Sequence, residues 1–121
     1  MTGIMPHLGM QSIRQGVPQD VTMLPQVMRN AGYSTHHVGK WHLGMTRKWM
    51  YPSERGFDSS FGFMDGQADY VTQQNQFGIK SSWPCSGVDL QQNAEPALGM
   101  NGTFSYDWFR NHISKALEGE L

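Results

Sequence analysis

The stretch Gly32-Tyr33-Ser34-Thr35-His36-His37-Val38-Gly39-Lys40-Trp41-His42 decides how the rest of the chain is read. Tyr33 to Val38 carries the β-branched and aromatic residues that favour a strand, and glycines bound it at 32 and 39. In an extended segment side chains alternate between faces, so Lys40 and His42 are expected to point one way and Trp41 the other. One face then presents a fixed positive charge and a proton-transfer group about 7 Å apart along the backbone. Such a pair suits an anionic ester, whose hydrolysis needs charge neutralisation and a proton.

Upstream, Thr22 is placed to cap a helix running to Ala31, with Pro25 in the first turn, where a missing N–H costs little. Leu24, Val27, Met28 and Ala31 recur at helical spacing and predict one apolar face. Gly32 falls where a left-handed terminating residue is wanted. Helix, glycine, strand and glycine-bounded loop make half of an α/β crossover unit. Ligands in such sheets bind beyond the carboxyl ends of the strands, which is where Gly39-Lys40-Trp41-His42 falls. Residues 1–19 read as loop or broken helix.

Downstream, Trp49 to Phe63 reads as an ordered loop that packs aromatics against the sheet. Residues 72–101 are polar and without period, and predict an irregular surface excursion. A second helix is expected from about Ser105, with Phe104 and Phe109 as a hydrophobic staple. Tyr106, Phe109, Ile113, Ala116 and Leu117 mark its apolar face, and Gly119 its end.

The totals exclude several classes. With 121 residues there is room for one domain. Nine Lys and Arg against ten Asp and Glu argue for neither nucleic acid nor an anionic membrane surface. A hydrophobic content of 38% is too rich for a disordered chain. No apolar run approaches the roughly 20 residues of a membrane span, and Met1 is followed by no basic-then-apolar leader. The single cysteine, Cys85, has no internal disulfide partner.

Gly32-Tyr33-Ser34-Thr35 followed by Val38-Gly39-Lys40-Trp41-His42-Leu43-Gly44 resembles the second signature of the sulfatase family. Leu24-Pro25-Gln26 and Ala31-Gly32-Tyr33 resemble the helix before that signature. Pro52, Arg55-Gly56-Phe57-Asp58, Phe61-Gly62-Phe63 and Asp69-Tyr70 resemble the stretch after it. Within that family the chain resembles the arylsulfatase B (N-acetylgalactosamine-4-sulfatase) type. The resemblance covers residues 20–70 well, 1–19 and 103–118 loosely, and 71–102 hardly at all.

What the resemblance implies is an α/β fold, a mixed sheet flanked by helices, as part of an alkaline-phosphatase-like catalytic domain. Sulfatase chemistry uses a formylglycine made from a cysteine and a divalent cation, usually Ca2+. By position, Lys40 matches the family lysine that contacts sulfate and formylglycine. His42 matches the histidine that bonds the formylglycine hydroxyl and helps regenerate the aldehyde. The implied partners are a sulfated small molecule or glycan, with no nucleic acid and no membrane span. The implied location is the secretory pathway, lysosomal or extracellular, where Asn101-Gly102-Thr103 would be a glycosylation sequon.

The Cys-x-Pro-Ser-Arg motif of the family is absent, since Cys85 stands between Trp83-Pro84 and Ser86-Gly87. Ile4 also stands where the family has arginine after Thr-Gly. Residues 1–121 therefore read as a partial N-terminal catalytic domain without its nucleophile or its metal carboxylates, inactive alone, marginal in stability and prone to aggregate.

Blander readings stand beside these. By themselves Lys40 and His42 read more readily as solvated loop residues, and only the surrounding resemblance reverses that preference. A sulfated-glycan-binding remnant using Lys40, Arg47 and Lys48 is the alternative function. Lys-x-His by itself also suits a phosphatase or phosphodiesterase of the same superfamily. Arg55 is expected in a structural role, on Asp58 or a loop carbonyl. Trp41 is expected in the core, His7 and His112 at the surface, and Cys85 as half of a disulfide or an inert thiol.

Overall fold

The computed structural model describes residues 16–66, 68–74, 87–100 and 102–121. A short helix α1 (Leu24–Asn30) leads to strand β1 (His36–Val38). Two 3-10 turns, Lys48–Met50 and Pro52–Arg55, connect it to β2 (Ser59–Phe63). A hairpin of β3 (Leu90–Gln92) and β4 (Glu95–Pro96) follows, and helix α2 (Ser105–Glu118) closes the chain. The four strands form one sheet in the order β1-β2-β3-β4. β1 runs parallel to β2, and β2–β3 and β3–β4 are antiparallel, so the sheet is mixed as expected.

Local chemistry explains α1 and its departure from expectation. Met23, not Thr22, occupies the cap position, and its N–H donates to Gln26 Oε1 at 2.7 Å. Pro25 sits in the first turn as predicted. The predicted apolar face is not the buried one: Leu24 and Val27 are exposed, while Met23 and Pro25 go inside. Periodicity locates an apolar stripe and does not say that a neighbour covers it. Gly32 takes the left-handed backbone its position required.

β1 begins at His36, later than the predicted Tyr33, because Thr35 is engaged elsewhere. Its N–H donates to Asp58 Oδ2 at 2.9 Å and its hydroxyl to the Gly56 carbonyl at 2.7 Å, while Asp58 N–H returns to the Thr35 carbonyl at 2.7 Å. The Thr35 N–H and then the Thr35 hydroxyl, also 3.0 Å from Asp58 Oδ2, hold the Asp58 carboxyl below its ordinary value. Asp58 also pairs with Arg29 at 3.0 Å. Arg55 therefore takes the other predicted role, on loop carbonyls. It is 2% exposed and donates to Pro18, Gln19 and Val21 carbonyls at 2.9–3.3 Å.

Two stretches expected to be irregular are in the sheet. Ser59–Phe63, read as loop, is its central strand, and Leu90–Gln92 with Glu95–Pro96, read as surface excursion, supplies two more strands. Asn93 and Ala94 carry positive φ of 49° and 71°, the two-residue turn whose twist suits a hairpin. Asn93 also binds β2 twice, accepting Ser60 N–H at 2.8 Å and donating to its carbonyl at 2.9 Å.

Alternation along β2 and beyond splits the interior into two clusters. Phe61 and Phe63 join Leu90 and Ala97 against Trp108 and Phe109 of α2. Met64 joins Met23, Trp41 and Phe57 in the other. α2 ends at left-handed Gly119 as predicted, but Phe104 is itself the cap residue. Its ring stacks on Tyr106 and meets Tyr70 instead of stapling to Phe109. The helix docks through Ser105, Trp108, Phe109 and His112, leaving the predicted face at Tyr106, Ile113 and Leu117 exposed. His112, expected at the surface, is half-buried and stacks on Phe61 at 4.0 Å. His7, Cys85 and Asn101 lie outside the described residues.

Candidate active site at the strand ends

Beyond β1 the backbone keeps tracking β2. Gly39 N–H donates to the Phe61 carbonyl, Trp41 to Phe63 and His42 to Met64, at 2.7–3.0 Å. Close approach makes this possible: a Cβ on Gly62 would stand 1.7 Å from the Gly39 carbonyl oxygen. The segment carrying Lys40 and His42 is thus pressed onto the carboxyl end of the central strand, where ligand sites in open α/β sheets form.

Trp41 anchors it. The indole is 4% exposed, and Nε1 donates to the carbonyls of Met50 at 2.9 Å and Gly44 at 3.2 Å. His37 and Phe57 meet its ring edge-on, with centroids 5.2 and 6.0 Å away. Burial pushes the His37 imidazole below its ordinary value, against a backbone hydrogen bond with Lys40. His37 is therefore a neutral packing group under the loop. His36 turns the other way and pairs through Nδ1 with Ser59 Oγ at 2.8 Å.

Lys40 and His42 are both exposed, on either side of the buried Trp41, as alternation predicted. The extended backbone ends at His42, however, whose φ is +49°. This left-handed turn departs from the expected geometry, and the His42 ring lies over the backbone of Gly66. A Cβ there would stand 2.8–3.2 Å from three imidazole atoms.

Two carboxylates stand behind His42 that the sequence did not single out. Asp65 is 4% exposed, with Oδ1 3.7 Å from His42 Nε2 and accepting Gly66 N–H at 2.5 Å. Asp89 Oδ2 accepts the Asp65 N–H at 3.0 Å. Burial raises the Asp89 carboxyl above its ordinary value, opposed by the Asp65 N–H and increased by the Asp65 charge. The usable signal was position: Asp65-Gly66 stands just past the end of β2, which runs parallel to the strand that leads to Lys40. Asp89 lies 24 residues further on, and nothing local connects it to the site.

Among the described residues no group of three His, Cys, Asp or Glu is placed to hold a metal ion, and no helix is long and apolar enough to cross a membrane. The described residues therefore do not fit the cation of the expected chemistry, and the only cysteine is not among them.

The family model described as Sulfatase matches residues 1–109. Arylsulfatase J of Mus musculus is 40% identical over 102 residues, 84% of this chain and 16% of that protein. N-acetylgalactosamine-6-sulfatase of Homo sapiens is 44% identical over 52 residues, 43% of this chain and 10% of that protein. Crystal structures of Ps i-CgsB superpose with 26% identity. The free form gives a TM-score of 0.65 over 89% of this chain and 26% of that one. The complex with k-i-k-neocarrahexaose gives 0.63 over 84% and 24%. The chain spans about a sixth of the arylsulfatase J it matches.

Proposed function

This chain belongs to the sulfatase family, and from that premise we propose that it is the Lys40–His42 segment of a sulfuric ester hydrolase of the arylsulfatase type. The observation that carries the reading is the family match together with an exposed lysine and histidine held at the carboxyl end of parallel strands. Lys40 neutralises the sulfate, and His42 moves the proton that the ester exchange requires. In the whole enzyme, a divalent cation and a formylglycine would supply the electrophilic and nucleophilic chemistry, held by residues outside those described. Residues 1–121 form part of the N-terminal catalytic domain, and the chain alone binds sulfate esters without turnover.

Glycan sulfates are the favoured substrates. One relative is an N-acetylgalactosamine-6-sulfatase, and one structural relative was crystallised with k-i-k-neocarrahexaose. A place in the secretory pathway, in lysosomes or outside the cell, with Asn101 glycosylated, accompanies the same reading.

The test is a titration of the chain with p-nitrophenyl sulfate, following backbone resonances of Gly39–His42 and free nitrophenol together. The expected result is a salt-sensitive perturbation at Lys40 and His42, weakened about tenfold in Lys40→Ala, with no nitrophenol released. Silence at both residues would remove the site assignment, and release of nitrophenol would remove the inactivity of the isolated chain.

A further inference from the structure

The His42 imidazole is held from two sides by residues that the proposed reaction does not otherwise use. Below it, Gly66 offers bare backbone, with no room for even a methyl group. At one edge, Asp65 Oδ1 lies 3.7 Å from Nε2. That separation is longer than a hydrogen bond and short enough for charge to act. Asp65 is buried, so solvent screens its charge poorly, and the Asp89 carboxyl holds its backbone N–H.

A carboxylate beside one ring nitrogen favours a proton there over a lone pair, and in neutral imidazole the other nitrogen is then the base. We infer that Asp65 and Gly66 are positioning residues for His42, turning Nε2 towards Asp65 and leaving Nδ1 as the nitrogen that meets the substrate. Among the described residues, Asp65 faces the ring edge and Asp89 stands behind it, with its charge also reaching His42. The catalytic meaning rests on the reading of His42 as the proton-transfer group, while the ring orientation stands independently of it.

Alkylation regiochemistry reads the orientation directly. The side chain of His42 is 54% exposed and open to a small reagent, whereas His37 is buried. Iodoacetamide carries no charge, so its choice of nitrogen does not depend on Lys40. The attacking lone pair forms the N–C bond, iodide leaves, and the nitrogen that already bears a proton does not react. Cleavage after Lys40 and Arg47 releases Trp41–Arg47, in which His42 is the only histidine.

The expected product in the native chain is the Nδ1 adduct, with His37 unmodified. In Asp65→Asn, with His37 still protected to certify the fold, the adduct shifts to the mixture given by the denatured chain. Gly66→Ala is expected to do the same by lifting the ring from its seat. A native chain that gives the denatured mixture, or an Asp65→Asn chain that keeps the native one, overturns the inference. Failure of sulfate to bind at Lys40 leaves this result untouched and sinks only the proposed function.

Discussion

The two interior clusters are built on opposite principles. The cluster beside the candidate site, Met23, Trp41, Phe57 and Met64, is bound into a net of polar contacts. Trp41 donates to two carbonyls, and Arg55 to three, with its Nε 3.1 Å from the Met23 sulfur. In the cluster under α2, Phe61, Phe63, Leu90 and Ala97 meet through shape and ring contacts. The polar ties lie at its margin, where Ser105 Oγ donates to the Tyr70 carbonyl at 2.7 Å and Gln73 Nε2 to the Met100 and Thr103 carbonyls at 2.8 and 3.0 Å. Polar anchors fix the direction of a loop, which a site requires. Apolar packing fixes proximity, and the Ser105 bonds to the Tyr70 carbonyl at its edge set only where α2 begins.

The sharpest way to break this contrast is to hollow the apolar cluster. Phe61→Ala removes a ring with no exposed surface, touched by Phe109 and His112. It is expected to cost about 4 kcal/mol, measured by urea unfolding, and to loosen α2 while leaving the Trp41 indole N–H resonance in place. If both clusters respond alike, they are one cooperative unit and the contrast fails.

Arg55→Leu asks the same of the polar cluster. It strands the carbonyls of Pro18, Gln19 and Val21, at a cost of about 3 kcal/mol. Here the first change should come at Trp41, whose indole N–H resonance shifts before far-ultraviolet ellipticity falls. An unfolding midpoint equal to the wild type would show that water replaces the guanidinium without penalty.

The smallest effect concerns pH. His37 is held below its ordinary value of 6.5 by burial, so its contribution to stability is present above about pH 6.5 and lost as pH falls through its folded value. His112, lowered by burial as well, acts in the same direction. Asp89, raised by burial, acts in the opposite one: its protonation at lower pH favours the fold. The melting temperature should fall between about pH 7.5 and about pH 5, and His37→Phe should flatten part of that slope. An unchanged slope in the variant would assign the acid sensitivity to His112.

These contrasts also explain what was legible in the sequence. The polar cluster is dense in short-range punctuation. Gly32, Pro25, Gly39 and the Arg55-Gly56-Phe57-Asp58 turn each carry a local backbone demand, so α1, β1 and the buried Trp41 could be read directly. β2 escaped because Ser59-Ser60-Phe61-Gly62-Phe63 looks like turn chemistry, although Gly62 is there for the crossing of Gly39. The hairpin escaped because Asn93-Ala94 lacks the glycine that usually announces such a turn. The faces of both helices were misjudged because periodicity ranks residues by polarity and carries no knowledge of neighbours. Lys40 and His42 were visible as residue types at a spacing. Their setting was not, since the left-handed turn at His42 and the carboxylates behind it depend on partners 23 and 47 residues away.

The double anchoring of Trp41 has an optical consequence. An indole fixed by two carbonyl acceptors, shut from water and edge-on to His37, reports on the very segment that carries Lys40 and His42. A neutral imidazole leaves its excited state largely alone, whereas an imidazolium ring at van der Waals range drains it. With Trp49, Trp83 and Trp108 replaced by Phe, emission intensity at this one residue works as a gauge of whether the floor of the site is dry and uncharged.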